Sequence, residues 1–162
     1  MFSDEIKSLA TEVLDLSRAK NLKIATAESC TGGLIIGALT EIAGSSDVVD
    51  RGFVTYTNRA KMECLGVSAD TLKIDGAVSP EVAIAMTEGA IKYSSANIAV
   101  SVTGIAGPDG GTDQKPVGLV HMAAIKRGGN PLHQMHKFGD LGRGAVRQAT
   151  IIAALKLLKE VI

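Results

Sequence analysis

The stretch Lys23–Gly33, KIATAESCTGG, runs a short β-type segment straight into a polar, glycine-rich junction. The residues after it, from Gly32 to Ile42, are mostly apolar and read as a helix that stops near Gly44. A strand, a glycine turn and a helix in direct succession form the basic unit of a layered α/β domain. The junction sets Ser29 beside Cys30, behind the acid Glu28 and ahead of Thr31-Gly32-Gly33. Two readings of it stand side by side. Ser29 or Thr31 caps the helix, because hydroxyl residues are favoured there. Alternatively, Ser29 is a nucleophile at a helix N-terminus, where free backbone N–H groups around Thr31–Gly33 hold an anion or an oxyanion.

Outward from this stretch the same alternation continues. From Asp4 to about Lys20, apolar residues at Ile6, Leu9, Ala10, Val13 and Leu14 fall at helical spacing. Arg51–Thr57 alternates as a strand, and Asn58–Leu65 forms a short helix closed by Gly66. Ser79-Pro80-Glu81 is a strong helix start: a hydroxyl cap, proline in the first turn and an acid at the positive dipole end. Asn97–Thr103 (NIAVSVT) reads as a strand buried on both faces, followed by the glycine-rich loop Gly104–Pro116. Strands at Val117–Ile125 and around His133–Phe138 precede a long apolar helix from about Arg143 to Val161. The fold expected is a single three-layer α/β/α domain over residues 1–162, around a mixed, mostly parallel sheet of four or five strands.

Composition supports this. The 162 residues suffice for one compact domain, and 46% of them are hydrophobic, so a core forms without disulfides or metal. Aromatics make up only 3%, which leaves packing to Val, Ile, Leu and Ala. Seventeen basic and seventeen acidic residues balance, and no basic run marks a nucleic-acid footprint. Cys30 and Cys64 are too far apart for a CxxC motif. The start, MFSDEIKSLATEVLDL, is acidic and amphipathic rather than signal-like, and no apolar run is long enough to span a membrane. A cytoplasmic protein with reduced thiols is the expectation, with no nucleic-acid or membrane partner and assembly into a homo-oligomer such as a dimer.

Three polar junctions each follow a predicted strand: AESCTGG, YTNRAK and VTGIAGPDGGT. Ligand sites in α/β sheets gather at such loops. A serine nucleophile needs a base. His121, His133 and His136 all lie in the C-terminal strand region, the last two flanking Gln134-Met135 in an edge strand facing solvent. Lys61 fits better, since a lysine buried near a site loses its proton more readily and Ser–Lys pairs are a known arrangement. Its ordinary reading is a surface helix lysine. Tyr56 and Asn58 beside it orient a substrate or simply end the strand. Gly104, Gly107, Gly110 and Gly111 match neither the phosphate loop nor the dinucleotide fingerprint, so ATP hydrolysis and nicotinamide redox chemistry are poorly supported. The length of that loop nonetheless favours a functional segment over a plain turn. Cys30 is read as a buried structural thiol.

AESCTGG, GFVTYTNRAKMECLGV, GAVSPEVAIAMTEGA and SVTGIAGPDGGTDQKPVGLVH, in that order, resemble the CinA C-terminal domain family, which includes nicotinamide-nucleotide amidases. The resemblance runs from about Leu9 to Leu158 and is to the stand-alone form, without the larger N-terminal domain of two-domain relatives. It implies hydrolysis of the carboxamide of nicotinamide mononucleotide to the acid and ammonia, with no metal or organic cofactor. The family's SCTGG serine matches Ser29, and the lysine and tyrosine of its Y-[ST]-N-x-x-K pattern match Lys61 and Tyr56. The threonine of VTGIAGP is Thr103. With these four as the catalytic set, Thr31, Gly32, Gly33, Asn58, Gly104 and Gly107 are expected to line the substrate. The family's basic residue after FGD falls on Arg143, with Arg147 second, because Leu141 and Gly142 intervene in FGDLGRGAVR. The rival expectation is a non-catalytic module associated with competence or recombination; a nucleotide-phosphate hydrolase lacks the acidic metal-ligand clusters it needs.

Overall fold

The computed structural model describes residues 2–162. Its elements run β1 (Ile24–Glu28), β2 (Val49–Val54), β3 (Ile98–Gly104), β4 (Leu119–Lys126) and β5 (Leu132–Lys137). Interleaved with them are α1 (Asp4–Ala19), α2 (Leu34–Thr40), α3 (Asn58–Leu65), α4 (Ala69–Ile74), α5 (Pro80–Lys92) and α6 (Arg143–Val161). The strands form one sheet in the order β2-β1-β3-β4-β5. β1 pairs in parallel with β2 and β3, whereas β3–β4 and β4–β5 are antiparallel. The sheet is mixed as expected, but its pairings divide evenly instead of being mostly parallel. The short Lys126–Leu132 connection, through a turn at Gly128 with φ +84°, folds β5 back as a hairpin.

Two cores flank the sheet and make the three layers. On one face α1, α2 and α6 bury Leu14, Ile35, Leu39, Ile151 and Leu155 against Ile98, Val100 and Met122. On the other, Val82, Met86 and Ala90 of α5 pack with Leu65, Leu72 and Ala99. Each large side chain so buried contributes about 1.5–3 kcal/mol.

Local chemistry explains the element boundaries. Ser79 accepts from the Val82 amide at 3.2 Å, and Thr57 accepts from the Ala60 amide at 3.1 Å, so α5 and α3 start on the hydroxyl caps that fit them. α2 starts at Leu34, two residues later than its apolar pattern suggests. Gly32 at φ +60° and Gly33 at φ +96° are left-handed, and the turn they make holds the helix off. α4 escapes the sequence reading because it is one short turn and a half, capped by Ser68.

The chain leaves β1 through α2 on one face to reach β2, then crosses by α3, α4 and α5 on the other face to β3. The β1-to-β2 and β2-to-β3 crossovers therefore lie on opposite faces of the sheet. The crevice beyond the carboxyl ends of β1 and β3 is where such a topology places a ligand.

Candidate active site

Ser29 stands in that crevice as the first residue after β1. Its amide donates to the Val102 carbonyl at 3.0 Å, and the carbonyl of the preceding Glu28 accepts from the Thr55 amide at 2.8 Å. The turn that carries Ser29 is thus gripped from both sides. Lys61, on α3, reaches in from beyond β2. Its Nζ lies 2.9 Å from Ser29 Oγ, 2.9 Å from the Thr55 carbonyl oxygen and 3.5 Å from that of Tyr56. Only 1% of Lys61 is exposed; among the described residues it is the bulkiest fully buried side chain, and no carboxylate pairs with it. Burial pushes its amine below the ordinary lysine value of 10.5. The surface-lysine reading of Lys61 is overturned.

Ser29 and Lys61 open onto a cavity of about 230 Å³, also lined by Cys30, Tyr56, Ala77, Val78, Thr103, Gly104, Ala106 and Arg143. Arg143 stands at its mouth and donates to the Tyr56 hydroxyl at 2.8 Å and to the Gly107 carbonyl at 3.0 Å. Tyr56 is 58% exposed there. Thr103 lines the wall, and its hydroxyl donates to the Ala77 carbonyl at 2.6 Å, fixing the segment that carries Ala77 and Val78. It bonds neither Ser29 nor Lys61. Cys30 is 5% exposed, and burial raises its thiol to about 12, consistent with a structural thiol.

Other expected residues serve elsewhere. Thr31, Gly32, Gly33 and Asn58 do not line the cavity, and Gly107 enters only through the carbonyl that holds Arg143. Asn58 is exposed at the start of α3. The Gly32 amide donates to the Ser29 carbonyl at 3.1 Å and the Gly33 amide to Glu28 at 3.0 Å, so neither is free for an oxyanion. Among the described residues, the amides of Cys30 and Thr31 have no protein acceptor. His121 is buried in β4 at 6% exposure and lies 3.1 Å from His133 through ring nitrogens, while His133 and His136, expected to face solvent, are half-buried in β5. None of the three histidines bonds Ser29 or Lys61.

Glu28 is the residue whose role the sequence left open. Fully buried, its carboxylate accepts from the Thr31 hydroxyl at 2.6 Å and from the amides of Gly33, Ile35 and Ile36 at 3.0, 3.0 and 2.8 Å. The Thr26 hydroxyl adds a fifth bond at 3.1 Å. Glu28 therefore caps α2 from inside the sheet, taking the role expected of Ser29 or Thr31, and Ser29 Oγ is left for Lys61. An acid just before a Ser-Cys-Thr-Gly-Gly turn was the only available signal.

The described residues contain no group of three or more His, Cys, Asp or Glu side chains placed for a metal ion, and no helix long and apolar enough to cross a membrane. A family model, the CinA C-terminal domain, matches residues 6–162. The chain belongs to the CinA C-terminal domain family. It is 47% identical over 164 residues to the nicotinamide-nucleotide amidohydrolase PncC of Enterobacter agglomerans, covering 100% of this chain and 99% of that one. A CinA-like protein of Syntrophobacter fumaroxidans is 47% identical over 145 residues, 90% of this chain but only 34% of its own length. Four other long relatives are likewise matched over 33% to 39% of their length. Among solved structures, the competence/damage inducible protein CihA of Agrobacterium tumefaciens superposes with a TM-score of 0.97 at 55% identity, covering 99% of this CinA-family chain and 97% of its own.

Proposed function

We propose that this CinA-family domain is an amidohydrolase that releases ammonia from the carboxamide of nicotinamide mononucleotide through a Ser29–Lys61 acyl-enzyme. The observation that carries the chemistry is the buried amine of Lys61, 2.9 Å from Ser29 Oγ on a cavity wall with no competing carboxylate. The PncC relative, which this chain matches from end to end, supports the substrate class.

A neutral amine has two hydrogens and one lone pair. The Thr55 and Tyr56 carbonyls take the hydrogens, which leaves the lone pair facing the Ser29 hydroxyl. Lys61 accepts the Ser29 proton as Oγ bonds to the carboxamide carbon. The carbonyl oxygen takes up the negative charge, and the amide of Cys30, on the cavity wall, is its donor. Lys61 then passes the proton to the amide nitrogen, the C–N bond breaks and ammonia departs. Water, deprotonated by Lys61, attacks the resulting ester. The ester C–O bond to Ser29 breaks, Oγ regains its proton, and the carboxylate product leaves. Arg143 at the mouth meets the substrate phosphate, where a guanidinium fork matches phosphate oxygens. The positive pyridinium ring draws electron density from the carboxamide and eases attack on it.

Ammonia release from nicotinamide mononucleotide by the unsubstituted chain and by Ser29→Ala tests the reading. The substitution abolishes release and keeps the far-UV circular dichroism of the fold. Turnover that survives Ser29→Ala ends the proposal.

A further inference from the structure

Arg143 and Arg147 lie four residues apart on α6 and so project from one face of it. They do different things. Arg143 lines the cavity, whereas Arg147 does not touch it. Arg147 lies behind the nucleophile turn, where its Nη2 donates to the Thr31 carbonyl at 2.8 Å. The guanidinium rests against Gly32, whose absent Cβ would come within 3.5 Å of Nη2. Arg147 Nε is buried without a hydrogen-bond partner, and no carboxylate pairs with this arginine among the described residues. A buried donor left unsatisfied is costly, so stability alone accounts poorly for an arginine in this place.

The bond to Thr31 has a specific continuation. The Thr31 carbonyl and the Gly32 amide belong to one peptide unit, and that Gly32 amide donates to the Ser29 carbonyl at 3.1 Å. A chain of hydrogen bonds therefore runs from the Arg147 guanidinium, through a single rigid peptide plane, to the residue that carries the nucleophile. Glu28 grips the same residue from the other side, at the Thr31 hydroxyl. Thr31 is held by an anion at its side chain and a cation at its carbonyl, which also accepts from the Leu34 amide at a longer 3.4 Å, and Gly32 beside it is in the left-handed region.

We propose that Arg147 is a positioning residue for the amidase reaction: by fixing the Thr31–Gly32 peptide it holds Ser29 Oγ in the line of attack without touching substrate. This rests on the reading of Ser29 as nucleophile. A misplacement on the order of 1 Å far from the chemistry lowers turnover about 100-fold.

The test uses the full chain, Arg147→Met and, as a contrast at the cavity mouth, Arg143→Met. Two readouts are taken: kcat and KM for ammonia release from nicotinamide mononucleotide, and the rate at which a small fluorophosphonate labels Ser29, followed by intact mass. Arg147→Met lowers kcat about 10- to 100-fold, leaves KM within about twofold, and slows Ser29 labelling by a similar factor. Arg143→Met instead raises KM. An unchanged kcat, a raised KM or unchanged labelling in Arg147→Met overturns the inference. If the unsubstituted chain is not labelled at Ser29, the nucleophile reading itself falls and the inference with it. Should Arg147→Met not fold, Arg147→Gln, which keeps a donor but no charge, carries the same readouts. Its kcat falls at least about threefold at constant KM, and an unchanged kcat again overturns the inference.

Discussion

Glu28→Gln exposes how the turn that carries Ser29 is built. The glutamine oxygen, placed where Oε2 stands, keeps the Thr31 hydroxyl and the amides of Gly33 and Ile35. The glutamine nitrogen then replaces Oε1 and points its hydrogens at the Ile36 amide, another donor, 2.8 Å away. The Thr26 hydroxyl can turn round and accept; the Ile36 amide cannot. Turning the side chain over is worse, because three donors would then face the NH₂ group. Stranding one donor costs about 1–3 kcal/mol, and each surviving bond loses about 1 kcal/mol when its acceptor loses its charge. Relief from burying that charge offsets part of this, which leaves a net loss of about 3 kcal/mol. For a domain of this size that lowers Tm by about 6–12 °C. The chain has no tryptophan, so urea unfolding is followed by circular dichroism at 222 nm, with thermal melts alongside. A variant within about 1 kcal/mol of the unsubstituted chain would refute the argument that this carboxylate, and no hydroxyl, caps α2.

An amine acts as a base only when uncharged, so on the Ser29–Lys61 proposal kcat/KM rises about tenfold per pH unit on the acid side and levels off at a pH below 10.5, because burial lowers the Lys61 value. Lys61→Met removes that limb and lowers kcat about 10²- to 10⁴-fold; a limb that persists in the variant places the base elsewhere. At pH 8 a disulfide reagent modifies one thiol per chain, the exposed Cys64. Cys30, buried and raised to about 12, is thiolate in only roughly one molecule in 10⁴ at that pH, and labelling as fast as that of Cys64 contradicts this.

Most of the architecture was legible in near-neighbour chemistry. The helices α3 and α6 occupy Asn58–Leu65 and Arg143–Val161, the spans read from the sequence, and α5 starts on the Ser79-Pro80 cap. These signals are carried within three or four residues, where apolar spacing and caps act, so the order of letters determined them. Family resemblance likewise singled out Ser29, Lys61, Tyr56, Thr103 and Arg143, all of which line one cavity.

What only the tertiary structure decided depends on contacts between distant segments. Lys61 reads as a solvated helix lysine until folding closes 32 residues of chain and seats its amine beside Ser29, and the bond from Arg143 to Tyr56 spans 87 residues. The same holds for the cap on α2, since Glu28 faces it only because β1 is buried on both sides. Whether Arg143 or Arg147 reaches the cavity is a matter of which turn of α6 stands over it. Burial sets the state of an ionisable group and the partners of each donor, and burial is a property of the folded whole.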